Sequence, residues 1–414
     1  MTSTEAGRAH RLRRMVGRDP HEGHRGASPL ELLFDLTFVV AFAQAGDQAA
    51  HLVAEGHIGS ALVGFAFVAF AVCWAWINVA WFTSAFDTDD WLFRVLTMAQ
   101  MVGVLVLALG IPPIFASIDA GEPLDNGVMV AGYIVMRVAL VAQWLRAAHQ
   151  DPTFRRAALT FAVFVLVAQV GWTLVALLEI RSFAVFLAAI GVLYLIEIAG
   201  PVVVERKHGG IPWHAHHIAE RYGLLLMITL GEVVIGTIAA VSAVVEHLGW
   251  STEAVLLVVA GTGLAFGLWW CYFTVPSGAL LHRHRSRGIA WGYGHIVLFA
   301  SIAAMGAGLH VAASVIEDQA RVGPSVAVLV TAVPVAVFGA ALFIIYAMLV
   351  RAVDPLHLAL FAGMLALLAL AVGMSFAGVS IGWSLVVVTA APLVVVVGYE
   401  AVGHRHMAAV LERG

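Results

Sequence analysis

The stretch "SPLELLFDLTFVVAFAQAGD", residues 28–47, decides how the whole chain is read. It is apolar enough for a membrane span, yet it carries Glu31 and Asp35 four residues apart. On a helix that spacing puts both carboxylates on one face, about 40° apart around the axis. Acids facing lipid are costly, so this helix must turn them toward protein or water.

The 414 residues are 61% hydrophobic and 12% charged, with a mean hydropathy of +0.94. Soluble domains carry about a quarter charged residues, so the composition indicates an all-α polytopic membrane protein. A span needs roughly 20 mostly apolar residues. Twelve segments qualify, near 30–50, 58–82, 91–117, 127–148, 154–178, 183–204, 217–244, 253–275, 289–315, 323–350, 355–377 and 382–403. Arg and Lys sort by side, as the positive-inside rule requires. The tail arginines Arg8, Arg11, Arg13, Arg14, Arg18 and Arg25 share a side with Arg94, Arg146, Arg155, Arg156, Arg206 and Lys207. Arg283, Arg285, Arg287, Arg351, Arg405 and Arg413 join them, whereas the other side holds only Arg181 and Arg321. Both termini are therefore expected in the cytoplasm, residues 1–27 as a disordered basic tail and 405–414 as a second tail. Cys73 and Cys271 both fall within spans and imply no disulfide framework.

The chain repeats itself weakly. "ELLFDLTFVVAF" opens span 1 and "ERYGLLLMITLGEVVIG" opens span 7, with "WFT" and "YFT" following at similar distances. An even number of spans separates equivalent positions, which predicts two parallel six-helix repeats, 28–208 and 209–404.

Ionisable residues inside spans are the candidate site. At 1.5 Å per residue, Asp35 lies roughly 8 Å into span 1 and Glu232 roughly 22 Å up span 7. Glu31, Asp35, Arg137, Glu197, Glu220, Arg221 and His295 are expected to share a polar cluster in one half of the bundle. Arg137 is the natural counter-ion of Asp35 or Glu197. Glu232, flanked by Gly231 and Gly236, has no obvious cation at its depth. These groups read either as interhelical clasps or as proton- or cation-responsive carboxylates along a path.

"WHAHHIAER" (213–221) brings His214, His217 and Glu220 together as weak metal candidates, with a plain histidine cluster at headgroup level as the alternative. In "WAWINVAWFTSAFDTDDWLFR" (74–94), Trp74, Trp76 and Trp81 suit an interfacial aromatic belt. Asn78 is placed to join the polar cluster. Asp87, Asp89 and Asp90 form an interfacial polar motif: Asp89 or Asp90 is expected to cap the next helix, with Asp90 pairing Arg94 at i, i+4. Pro112 and Pro113 predict a kink or re-entrant bend in span 3. No nucleotide-binding loop, nucleophile elbow or paired-cysteine motif is present, so no cofactor and no nucleic-acid partner is expected.

"SPLELLFDLTFVVAFAQ", "FDTDDWLFRVLTMAQMVGVLVLALGIP", "DPTFRR" and "HIAERYGLLLMITLGE" resemble the low temperature requirement protein A family of bacterial multi-pass membrane proteins. The resemblance runs from about residue 28 to the last span and places the chain in a bacterial cell membrane. The family's name reflects growth in the cold and implies no reaction, substrate or cofactor. Its pattern falls here on Glu31, Asp35, Asp87, Asp89, Asp90, His217, Glu220, Arg221 and Glu232. This chain departs from it at Leu33, where a second aromatic is common, and at Val233, where a serine is common.

Three functions fit these observations. The leading one is a transporter of a small solute or ion, with spans 1 and 7 lining its path. The second is a cation or proton channel of two six-helix repeats, by analogy of architecture with endolysosomal potassium/proton channels. The third is a non-transporting scaffold or an interfacial lipid-acting enzyme. The expected partners are the lipid bilayer and an unidentified solute or ion, with homo-oligomerisation left open.

Overall fold

The computed structural model describes residues 12–23, 25–178 and 183–407. Arg8, Arg11, Arg181 and Arg413 lie outside the described residues. Twelve helices are long and apolar enough to cross a membrane, and no strand occurs among the described residues. They are α1 (Pro29–Ala54), α2 (Ile58–Phe86), α3 (Trp91–Ala120), α4 (Gly127–Gln150), α5 (Arg155–Leu177) and α6 (Phe183–His208). The second half follows as α7 (Ala215–Leu248), α8 (Thr252–Phe273), α9 (Gly288–Ile316), α10 (Pro324–Val350), α11 (Pro355–Phe376) and α12 (Ile381–Gly398). A short helix, Ser277–Arg283, links α8 toward α9.

The helix limits have local causes. Asp90 caps α3 by accepting from the Phe93 amide, Ser251 caps α8 through Ala254, and Asp354 caps α11 through Leu356. Pro324 and Pro355 stand in the first turns of α10 and α11, where the missing N–H costs nothing. The prolines of span 3 produce a break rather than a re-entrant loop. The helix Trp91–Leu109 ends at Gly110, and Ile111–Ala120 restarts with its prolines in the first turn. Outward-facing Leu109, Val138 and Leu195 are exposed, as expected where lipid supplies the apolar cover.

Packing divides the chain into two compact units. Unit 1 comprises the chain through Ala41 together with Trp74–Arg221, and unit 2 comprises Phe42–Cys73 and Tyr222 onward. Helices α1, α2 and α7 thus each contribute a segment to both units. In unit 1, α3 packs on α4, α4 on α5 and α5 on α6. Phe82, Phe86, Trp144 and Phe161 stack in its core. In unit 2, α9 packs on α10, and α12 packs on α8, α10 and α11.

Residues 12–23 and 25–27, within the segment 1–27 expected to be a disordered tail, form a strap on unit 1. The Arg13 amide donates to Asp90, the Met15 amide to Gln150 and the Gly17 amide to Asp151. Arg25 donates to the Thr83 and Ser84 carbonyls at the C-terminal end of α2, where a cation satisfies orphan acceptors. These specific polar partners hold down a segment that has no apolar run of its own.

A close helix crossing lies between α3 and α4. A Cβ added at Gly132 would stand 2.5 Å from the Leu107 nitrogen and 2.6 Å from the Gly103 carbonyl oxygen. Both obstacles are backbone and cannot swing aside. Gly132→Ala is therefore expected to lower stability by about 1–3 kcal/mol, read as a lower thermal midpoint of the detergent-solubilised protein. An unchanged midpoint would mean that the two backbones do not touch.

Candidate functional site

Unit 1 concentrates buried charge in two clasps. In the first, α7 projects Arg221 toward α1 and α2. Its Nη2 and Nε donate to the two Asp35 oxygens at 2.6 and 3.1 Å. Its Nη1 donates to Glu31 at 2.7 Å and to the Thr83 hydroxyl at 3.1 Å. Trp76 Nε1 donates to Asp35 at 2.7 Å, and His217 Nε2 lies 3.2 Å from Glu31. Glu31 also accepts from the Ser28 amide at 2.9 Å while Ser28 Oγ accepts from the Glu31 amide at 3.3 Å. This reciprocal pair starts α1 and aims Glu31 inward. Asp35, His217 and Arg221 are each 0% exposed.

The second clasp joins α4, α6 and α2. Arg137 Nη2 donates to both Glu197 oxygens at 2.9 and 3.0 Å, and Trp74 Nε1 donates to Glu197 at 2.6 Å. Arg137 thus pairs with Glu197 and not with Asp35. Trp74 and Trp76 are buried donors instead of interfacial belt residues. Two residues apart, they diverge by about 200° around α2, and each serves a different carboxylate. Trp81 stacks edge-on against Trp213, with ring centroids 4.9 Å apart. Asn78 donates to the Trp74 carbonyl within its own helix and joins neither clasp.

His214 and His217 are committed to structure. His214 is a buried helix cap: its Nδ1 accepts from the His217 amide, so Nε2–H donates to the Glu22 carbonyl. Glu220 is exposed and accepts from the Ala27 amide. Among the described residues no three His, Cys, Asp or Glu side chains are grouped to hold a metal.

Asp90 is a hub. Besides capping α3 it accepts from the Arg13 amide and takes two bonds from Arg146. Burial pushes its carboxyl up, but the Arg146 bonds and the two amides outweigh this and hold it below the usual range. Arg94 pairs with Asp89 through two bonds at 2.8 and 2.9 Å, not with Asp90. Asp87 faces Arg25 at 3.5 Å. Burial, aided by the Glu31 charge and opposed by Arg25, raises its carboxyl to about 6.

In unit 2 the arrangement differs. Glu232 on α7 is half-buried and borders a cavity of about 340 Å³ with Asp47 of α1 and His310 of α9. His310 Nδ1 lies 3.1 Å from Asp47. Gly236 leaves room for the imidazole, since a Cβ there would stand 2.6 Å from His310 Nε2. The cation that Glu232 was expected to lack is therefore His310 when protonated. Asp47 and His310 were missed, although each is an ionisable residue inside a span, which marks it as a site candidate by default. His295 also belongs to unit 2 but not to this cavity. Its Nδ1–H donates to the Trp291 carbonyl at 2.8 Å, and Nε2 lies 3.0 Å from Tyr272 Oη. Tyr222, Trp291 and Phe299 enclose the ring.

The model of the family described as "Bacterial low temperature requirement A protein (LtrA)" matches residues 26–392. The chain belongs to the LtrA family. The match includes both clasps of unit 1 and the cavity residues Asp47, Glu232 and His310. The LtrA chain is also similar to the uncharacterized protein RA0937 of Rhizobium meliloti (strain 1021). They are 25% identical over 255 residues, which cover 60% of this chain and 58% of that protein. The chain thus spans little more than half the length of this relative. No solved structure matches.

Two outcomes follow. Asp35→Asn leaves Arg221 short of charge in a dry site and is expected to cost on the order of 3–5 kcal/mol. Glu232→Gln, at a half-open cavity, should cost far less. Thermal unfolding of both variants in one detergent checks the contrast, and equal losses would contradict it. Asp87 sets a pH dependence. Between about 3.8 and about 6 the unfolded chain releases this proton while the fold retains it. Stability therefore falls as pH rises through that window and stays lowered above it. Asp87→Asn should remove that part of the decline in a thermal midpoint series from pH 4 to 7; an unaltered slope would assign the decline to other groups.

Proposed function

We propose that this LtrA-family protein is a transporter of the bacterial cell membrane, with both termini cytoplasmic, moving a small solute or ion along a path lined by α1 and α7. The two parallel six-helix repeats read from the sequence belong to the same proposal. The observation that carries it is the cavity bordered by Asp47, Glu232 and His310. Ionisable groups kept inside spans are expensive, and they commonly mark proton or ion routes. Here two carboxylates and one imidazole share a space that a proton or small cation can enter. A small cation that enters between Asp47 and Glu232 would be held by two carboxylates beside the His310 imidazole. In the Arg137 clasp Nη2 holds Glu197 while the buried Nη1 has no hydrogen-bond partner among the described residues. The Arg221 clasp acts as a fixed strut, because every guanidinium nitrogen of Arg221 is already engaged. That same saturation favours a second reading, a non-transporting scaffold.

Proteoliposomes separate the two readings. Proton movement is followed with a trapped pH dye while an outward sodium or potassium gradient is imposed. Wild type is expected to move protons against one of these cations. Glu232→Gln and Asp47→Asn should each reduce the flux at least ten-fold with unchanged elution profiles. Absence of flux in wild type, or flux unaffected in both variants, favours the scaffold.

A further inference from the structure

A second cavity in unit 2, independent of the Glu232 site, lies among α8, α10, α11 and α12. It has about 620 Å³ of space when its open mouth is included. Its walls are almost entirely apolar, with Leu268, Phe338, Leu342, Phe361 and Met364 among them. Polar groups sit where the helices end: Tyr346 in the last two turns of α10 and His357 in the first turn of α11. An apolar slot with polar groups at one end suits an amphiphile.

The surrounding charges define which amphiphile. Arg351 follows α10 directly, exposed and in the left-handed backbone region at φ 56°. Arg287 donates to the Leu349 carbonyl, which holds the segment after Ser277–Arg283 against the same end of α10. Arg283, Arg287 and Arg351 together act on His284, which burial and these three cations hold below its ordinary value. None of the three arginines has an ion pair among the described residues. The nearby acid, Asp354, is already shared between His357 at 3.2 Å and His406 at 2.8 Å. Cations left without counter-charge beside an apolar slot at headgroup level are the arrangement that binds acidic lipid headgroups.

We propose that this cavity holds an acyl chain of an anionic phospholipid whose phosphate is bound by Arg351, Arg287 and Arg283. The lipid then bridges α10, α11 and the segment linking α8 to α9, supplying the negative charge that the protein lacks there.

The test uses the full-length protein, stripped of lipid in detergent and titrated with dioleoyl-phosphatidylglycerol or dioleoyl-phosphatidylcholine. Native mass spectrometry counts bound lipids, and thermal shifts report affinity. The expected result is one retained phosphatidylglycerol with at least ten-fold preference over phosphatidylcholine. The pair Arg283→Gln with Arg351→Asn should abolish that preference, asparagine being tolerant of positive φ. Leu342→Trp, which fills the slot, should weaken both lipids. Glycerophosphoglycerol, the headgroup without chains, serves as a control on wild type in case a variant misfolds, and it should not stabilise. Equal affinity for both lipids, stabilisation by the bare headgroup matching the whole lipid, or unchanged preference in the arginine pair would each overturn the proposal.

Discussion

A guanidinium inside an apolar bundle costs several kcal/mol unless partners of opposite charge and further hydrogen bonds surround it. Unit 1 is organised by that requirement. Arg221 can be buried only because α1 presents two acids on one face and α2 adds a hydroxyl and an indole to complete the shell. Glu31 meets the need twice, as the partner of the Ser28 amide at the start of α1 and as a ligand of Arg221. Helix initiation and helix association thus run through one side chain.

Unit 2 spends its ionisable groups differently. His295 has both ring nitrogens engaged in hydrogen bonds and is sealed by aromatic rings, so it has no capacity left for chemistry. Asp47, Glu232 and His310 keep partly open positions around space of their own. Saturated polar groups can only be disrupted, whereas unsaturated ones can accept a visitor.

The sequence made the helical membrane class and the twelve spans legible, because length and apolarity alone decide them. It also identified Glu31, Asp35, Arg221, Arg137 and Glu197 as residues that must find partners. It did not reveal how they divide into two separate clasps, since helix rotation is set by packing that no single segment encodes. Trp74 and Trp76 looked like belt residues because a tryptophan near a span end usually is one; their indole N–H groups were needed inside. The basic, polar composition of residues 12–27 hid the docking of the strap, which rests on backbone amides that any sequence possesses.

That strap has a consequence for biogenesis. Gly17 docks on Asp151, which lies 134 positions further along the chain. At ribosomal speeds of roughly 5–20 residues per second, the earliest-made segment waits on the order of ten seconds for its acceptor to emerge. Seating of the strap is therefore a late event, one that registers the arrival of the α4–α5 corner.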